Sequence, residues 1–224
     1  MKLRRFGISA AAFVAACALV LPVPATAGTQ VWDFEDGAGD WDAPNGTWEA
    51  SGGVYSEVSG ADPAMHSVVG DDSWDDYVVS AKVRLDEGNW AGIAFRVQSD
   101  FEYYVYYMNV PDNKSELWQH TDGAFDSRAN LADIPGVNIL IENGVMHDVQ
   151  VVVEGDTFEL WIDGELQSTE SNGDYATGKV GVWAWATMAS FDDVTVTGDG
   201  IDDSVAVESR GKLASVWGDL KETR

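Results

Sequence analysis

The sequence predicts an all-β fold, an antiparallel two-sheet β-sandwich, followed by a short C-terminal helix. Three observations point there. No stretch before Gly198 sustains helical periodicity in the region that follows the leader. Turn pairs recur at the spacing expected of short sandwich strands: Asn45-Gly46, Gly52-Gly53, Asp122-Gly123, Gly155-Asp156 and Asp163-Gly164. Between the turns lie segments of period two, such as DYVVSAKVRL.

In chain order, GTQVWDFEDG makes a brief first strand, and Gly37 to Gly53 is rich in turn residues. Trp48 to Val58 alternates weakly and reads as a hairpin. Ser59 to Ser73, which holds Met65 and His66, reads as less ordered. Val79, Ala81, Val83 and Leu85 share one face of the next strand, with Val78, Ser80, Lys82 and Arg84 on the other. Glu87-Gly88-Asn89 then turns the chain into AGIAFRVQSDFEYYVYYM, two adjacent strands. There Ile93, Phe95 and Val97 point to the core and Arg96 and Gln98 away from it, while Tyr103 to Met108 carries aromatics on both faces.

SELWQH follows as a strand and Asn130 to Asn138 as a loop. MHDVQVVVE and TFELWI form a hairpin, and KVGVWA and FDDVTVT complete the sheets. After Asp199 a polar linker leads into GKLASVWGDLKETR. Leu213, Val216, Trp217 and Leu220 fall there at i, i+3, i+4 and i+7, which predicts a short amphipathic helix.

Residues 1–27 read as an export signal: Lys2, Arg4 and Arg5, then an apolar run from Phe6 to Leu21, then Ala25-Thr26-Ala27 as the cleavage triplet. The division is therefore leader 1–27, sandwich 28–198 and tail 199–224. Val14-Ala15-Ala16-Cys17 is similar to a lipobox, and lipidation at Cys17 would replace secretion with membrane anchoring. Without the leader, ten Lys and Arg face 38 Asp and Glu, a formal charge of −28. Such a surface repels nucleic acid and anionic membrane. With Cys17 removed no cysteine remains, so a hydrophobic core and not disulfides must hold the fold.

Several segments resemble, in order, the concanavalin A-like (laminin G-like) jelly-roll superfamily: VWDFEDG, YVVSAKVRL, GIAFRVQSDFEYYVYY, FELWIDGEL and GKVGVWAWATMASFDDVTV. Its nearest branches are secreted carbohydrate-binding modules and bacterial 3-keto-disaccharide hydrolase domains. The resemblance implies a jelly roll whose concave sheet receives a glycan or polysaccharide. It also implies a structural calcium between the first and last strands, for which Glu35 and Asp193 are the candidate ligands.

Glycosidase acids on one strand stand at alternate positions. The nearest pattern here is ELWIDGE, where Glu159 and Asp163 would lie ~13 Å apart along a strand, beyond the ~5–9.5 Å that either hydrolytic mechanism uses. Asp163-Gly164 is a hairpin turn, so Asp163 reads as structural. His66, His120 and His147 show no ligand spacing. Binding without chemistry needs the fewest assumptions. The alternatives are a hydrolase or lyase acting on a modified disaccharide and an adhesion domain without a sugar site. Sugar rings stack on aromatic faces and their hydroxyls need planar donors and acceptors. The candidate binding residues are accordingly Arg96, Gln98, Tyr104, Tyr106, Glu116, Trp118, His120, Trp183 and Trp185. The pattern leaves two outward tyrosine sets open, Tyr104 with Tyr106 or Tyr103 with Tyr107, and the first is the one chosen.

Overall fold

The computed structural model describes residues 27–122, 127–136 and 138–203. The expected leader, Cys17 and the expected C-terminal helix lie outside these. Among the described residues, twelve strands, all paired antiparallel, make one hydrogen-bonded system. They are β1 (Gly28–Trp32), β2 (Trp48–Ser51), β3 (Val54–Glu57), β4 (Met65–Val69), β5 (Tyr77–Ser99), β6 (Glu102–Asn109), β7 (Lys114–Thr121), β8 (Arg128–Pro135), β9 (Met146–Glu154), β10 (Thr157–Ile162), β11 (Glu165–Ser171) and β12 (Lys179–Gly198).

Two long strands, β5 and β12, stay paired with each other and run through both layers. Their crossing bends at Gly88, which faces Thr187. A Cβ at Gly88 would come within 2.3 Å of the Ala186 carbonyl oxygen, and Gly88 has φ +122°. Only glycine lets the two backbones approach this closely. In the first layer β5 and β12 pair with β1, β3 and β9, and β9 continues to β10 and β11. In the second they pair with β4 and β6, and β6 continues to β7 and β8.

Alternation then places the core. Val79, Ala81, Val83 and Leu85 meet Val149, Val151, Val153, Phe158, Leu160 and Ile162 from the first layer, and Ile93, Phe95, Tyr104, Tyr106, Met108 and Leu117 from the second. Each side chain buried in this way contributes about 1.5–3 kcal/mol. The two-residue turn Asp163-Gly164, with φ of 52° and 77°, closes the β10–β11 hairpin as expected, and the Asp163 carboxylate accepts from Asp148 N at 2.9 Å.

The structure departs from the sequence reading in several segments. Glu87-Gly88-Asn89, expected as a turn between two strands, lies inside the continuous β5, and KVGVWA and FDDVTVT, expected as separate strands, are parts of β12, because the two strands keep pairing with each other from one layer into the next. Met65 to Val69, within a stretch whose sequence predicts less order, is a strand buried at every position. Arg128 to Pro135, expected to be mostly loop, is the edge strand β8. Neither alternates apolar with polar residues. β4 is covered on both faces, and β8 is held through backbone pairing at an edge, so period two was never imposed on them.

Candidate functional site

Arg96 decides which side chains reach the outer face of the second layer. It has φ +47°, and the β5 register with both β6 and β12 shifts at this point. An extra residue in one strand reverses the alternation beyond it. Ile93 and Phe95 therefore point inward, but Val97 joins the outer cluster with Ala94. The Arg96 guanidinium turns to the end of the sandwich. There it donates to the carbonyls of Tyr175 (2.8 Å), Asp75 (3.0 Å) and Gly155 (2.8 Å) and lies 5.9 Å from the Phe158 ring centre. Gln98 is exposed at the same end and donates to the Thr177 carbonyl. The expectation that Arg96 and Gln98 pave the outer sheet face is thus corrected by a single bulge.

The tyrosine register is corrected as well. Tyr104 and Tyr106 are fully buried between the layers, Tyr106 donating to Ser115 Oγ at 3.1 Å. Tyr103 and Tyr107 are the outward pair. In register across the strands, Trp183 stands opposite Gly92, Gly92 opposite Tyr107, and Tyr107 opposite Glu116. Gly92 has no side chain to separate its neighbours, so the Tyr107 and Trp183 rings stack, with centres 5.1 Å apart and 12° between planes. Tyr103 stacks on His120 at 4.5 Å and 14°, and Trp185 meets the edge of Trp183 at 6.2 Å.

Over this aromatic floor reaches Arg128. Its guanidinium carbon sits 4.7 Å from the Trp118 ring centre and 4.4 Å from that of Trp185. The two indoles come from β7 and β12, and the cation spans them. Glu116, Trp118, His120, Trp183 and Trp185 are thus brought together, as the sequence suggested, around a different cation.

Glu116 is the hub of the polar network. It accepts from Asn109 Nδ2 (2.7 Å), Trp118 Nε1 (2.7 Å) and Tyr107 Oη (2.9 Å), and pairs with Lys114 Nζ at 3.1 Å. Burial opposes its ionisation, but these four donors outweigh burial and hold the carboxyl below its usual range. Burial, aided by the Arg128 charge, pushes His120 down to about 4, so its ring is neutral near pH 7. Burial likewise raises the Tyr103 phenol to about 12.

Beside the floor opens a cavity of about 130 Å³, lined by Asn45, Ala64, His66, Asp100, Phe101, Tyr103, His120, Arg128 and Trp185 among others. His66 is 1% exposed, and neither of its ring nitrogens has a hydrogen-bond partner. Burial lowers its pKa, against the pull of Asp100 and Asp42. His66 and His120 flank Tyr103 from different strands, with ring centres 5.2 and 4.5 Å from it. Sequence spacing could not bring them together. It is the pairing of MHSVV with KVGVWA that sets His66 opposite Trp183, and no local pattern in the sequence announces that register.

The expected calcium ligands do not assemble. Asp193 pairs with Lys82 at 2.5 Å, Glu35 is exposed, and among the described residues no three His, Cys, Asp or Glu side chains are grouped to hold a metal ion.

A jelly-roll sandwich carrying an aromatic outer face is the class that fold and site define. Residues 29–197 match the 3-keto-alpha-glucoside-1,2-lyase-like domain, and the chain belongs to that family. An extracellular exo-alpha-L-arabinofuranosidase of Streptomyces chartreusis is 29% identical over 136 residues, which are 59% of this chain and 16% of that enzyme. The chain therefore spans less than a fifth of that relative. The carbohydrate binding module CBM66 from Bacillus subtilis superposes with a TM-score of 0.63 at 19% identity, covering 70% of this chain and 95% of that one. A beta-glucanase from Bacillus licheniformis gives 0.55 at 11% identity, over 76% and 98%. At such identities the likeness establishes the fold alone.

Proposed function

We propose that this protein is exported and binds carbohydrate on the outer face of its second layer, with the His66 cavity reading the hydroxyls of one sugar ring. One observation carries the reading: a buried imidazole with both nitrogens unpartnered beside stacked rings. An unpaired buried polar group costs about 1–3 kcal/mol. A neutral imidazole offers one donor and one acceptor, which a pair of sugar hydroxyls satisfies. Trp118, which is half-buried, supplies a flat surface for the C–H face of a ring, and Arg128 holds it beside the buried Trp185. The names of the relatives, a carbohydrate-binding module and an extracellular arabinofuranosidase, agree with the ligand class and with export.

Family membership favours a second reading, elimination from a 3-keto-α-glucoside. In that chemistry a base removes the C2 proton, made acidic by the C3 ketone. The C–H electron pair becomes the C1–C2 double bond, and the C1–O bond breaks to release the alcohol, which takes up a proton. His120, neutral near pH 7, has one ring nitrogen free of a proton and so can take one up, but with a pKa of about 4 it is a weak base.

The two readings separate by experiment. Titration calorimetry against a panel of oligosaccharides is expected to find binding that Trp118→Ala weakens about tenfold. Incubation with a 3-keto-disaccharide, followed by enone absorbance, tests turnover. Turnover lost in His120→Gln with binding kept establishes the lyase. Binding without turnover establishes the module, and neither signal from a folded protein defeats both.

A further inference from the structure

The outer face of the first layer carries a groove of about 350 Å³, larger than the His66 cavity and on the opposite side of the sandwich. One registered row crosses it: Trp161 of β10 faces Gln150 of β9, Gln150 faces Ser80 of β5, Ser80 faces Thr195 of β12, and Thr195 faces Val31 of β1. Residues directly opposite one another in antiparallel pairs share a face, so the row lies along the surface. The groove itself takes in four of these strands, β10, β9, β5 and β12, which at ~4.8 Å spacing give a length of ~14 Å, room for more than one linked sugar ring.

Trp161 is half-buried, and its Nε1 donates to Glu159 of its own strand at 3.2 Å. The other described tryptophans each have a ring or a guanidinium against the indole, whereas Trp161 has neither. An indole left without a ring partner beside an amide and two hydroxyls is the combination that packs against a sugar ring and pairs with its hydroxyls. The groove's charges narrow the ligand further. Lys82 is already paired with Asp193 at 2.5 Å, and Asp148 and Asp192 also act on it. Three carboxylates around one ammonium leave the groove negative, which repels uronate or sulfated polymers.

We propose that this groove is a second carbohydrate site, one that takes an internal stretch of a neutral polysaccharide. It stands independently of the first, and with it one chain could bridge two polymer strands. The test is affinity electrophoresis of the full chain in gels containing arabinan, arabinoxylan or mixed-linkage β-glucan, with polygalacturonate as the anionic control and calorimetry to confirm folding. Retardation by at least one neutral polymer is expected. Trp161→Ala should weaken it about tenfold, Trp161→Phe should restore most of it, and Trp118→Ala should leave a residue that the double variant abolishes. No retardation in any neutral gel overturns the proposal, as does equal retardation by polygalacturonate. If Trp161→Ala migrates like the wild type while Trp118→Ala loses all retardation, this groove is refuted and the first site stands.

Discussion

The two faces of the second layer are buried to nearly the same extent, yet they are built on different terms. On the inner face Ile93, Phe95, Tyr104, Tyr106 and Met108 press against another layer, and the buried phenol of Tyr106 has a partner in Ser115. On the outer face no layer formed by the described residues covers Tyr103, Tyr107, Trp183 and Trp185. They hide one another by stacking, roofed in part by Arg128. There His66 keeps two nitrogens unsatisfied. The inner face pairs its buried phenols, Tyr104 with Asn172 and Tyr106 with Ser115. The outer face holds a polar debt that a ligand can discharge, and burial alone does not separate core from site.

The largest expected effect falls at Arg96, where the contrast can be broken from the core side. Arg96→Ala would leave the carbonyls of Tyr175, Asp75 and Gly155 without their buried donor. A loss of about 3–5 kcal/mol follows, a fall in Tm on the order of 10 °C by calorimetry. Sugar affinity of the fraction that remains folded should be unchanged, because this cation is not on the outer face.

Gly92→Ala comes next and strikes the join between the two faces. A Cβ there would lie 2.0 Å from the Tyr106 carbonyl oxygen and 2.5 Å from the Tyr107 Cα. Backbone cannot yield as a side-chain end can, so a cost of about 2–3 kcal/mol is expected. The Tyr107–Trp183 stack should part as well, visible as a changed near-ultraviolet circular dichroism spectrum.

A smaller effect separates the faces by pH. His120 titrates near 6.5 when unperturbed and at about 4 in the fold. Above pH 6.5 the ring is neutral in folded and unfolded chains alike and contributes nothing. From pH 6.5 down to about 4 the unfolded chain binds a proton that the folded chain refuses, so stability falls as pH falls. His66, also lowered, acts in the same direction. Glu116 adds stability that is present above its usual value near 4.5 and is lost as pH falls through its lower folded value. His120→Gln should therefore flatten the decline between pH 6.5 and 4 and leave the steeper loss below it, as read from urea midpoints across that range.

Much of the fold was legible because alternation and turn chemistry are local. The strands Tyr77 to Leu85 and Met146 to Glu154 and the Asp163-Gly164 turn stand where their patterns put them. The site was legible in its rings and not in its cation. Trp118, Trp183, Trp185, Glu116 and His120 converge, but the bulge at Arg96 reverses the alternation, and no period-two reading foresees a residue at φ +47°. The choice between Tyr103 with Tyr107 and Tyr104 with Tyr106 had the same origin: a strand aromatic on both faces carries no internal mark of which face is covered. Arg128 and His66 escaped because they sit on strands without alternation, placed by pairing with partners far away in sequence.

The paired measurement of Tm and sugar affinity in His66→Phe tests the central claim most directly. Phenylalanine keeps the volume of the ring and removes both unpartnered nitrogens. The protein should then melt at the same temperature or a few degrees higher, since about 1–3 kcal/mol of unpaired polarity is gone, while the sugar affinity of the first site collapses. A lower Tm with undiminished affinity at that site would contradict the account, showing His66 to be an ordinary packing residue and the outer cavity to be no binding site.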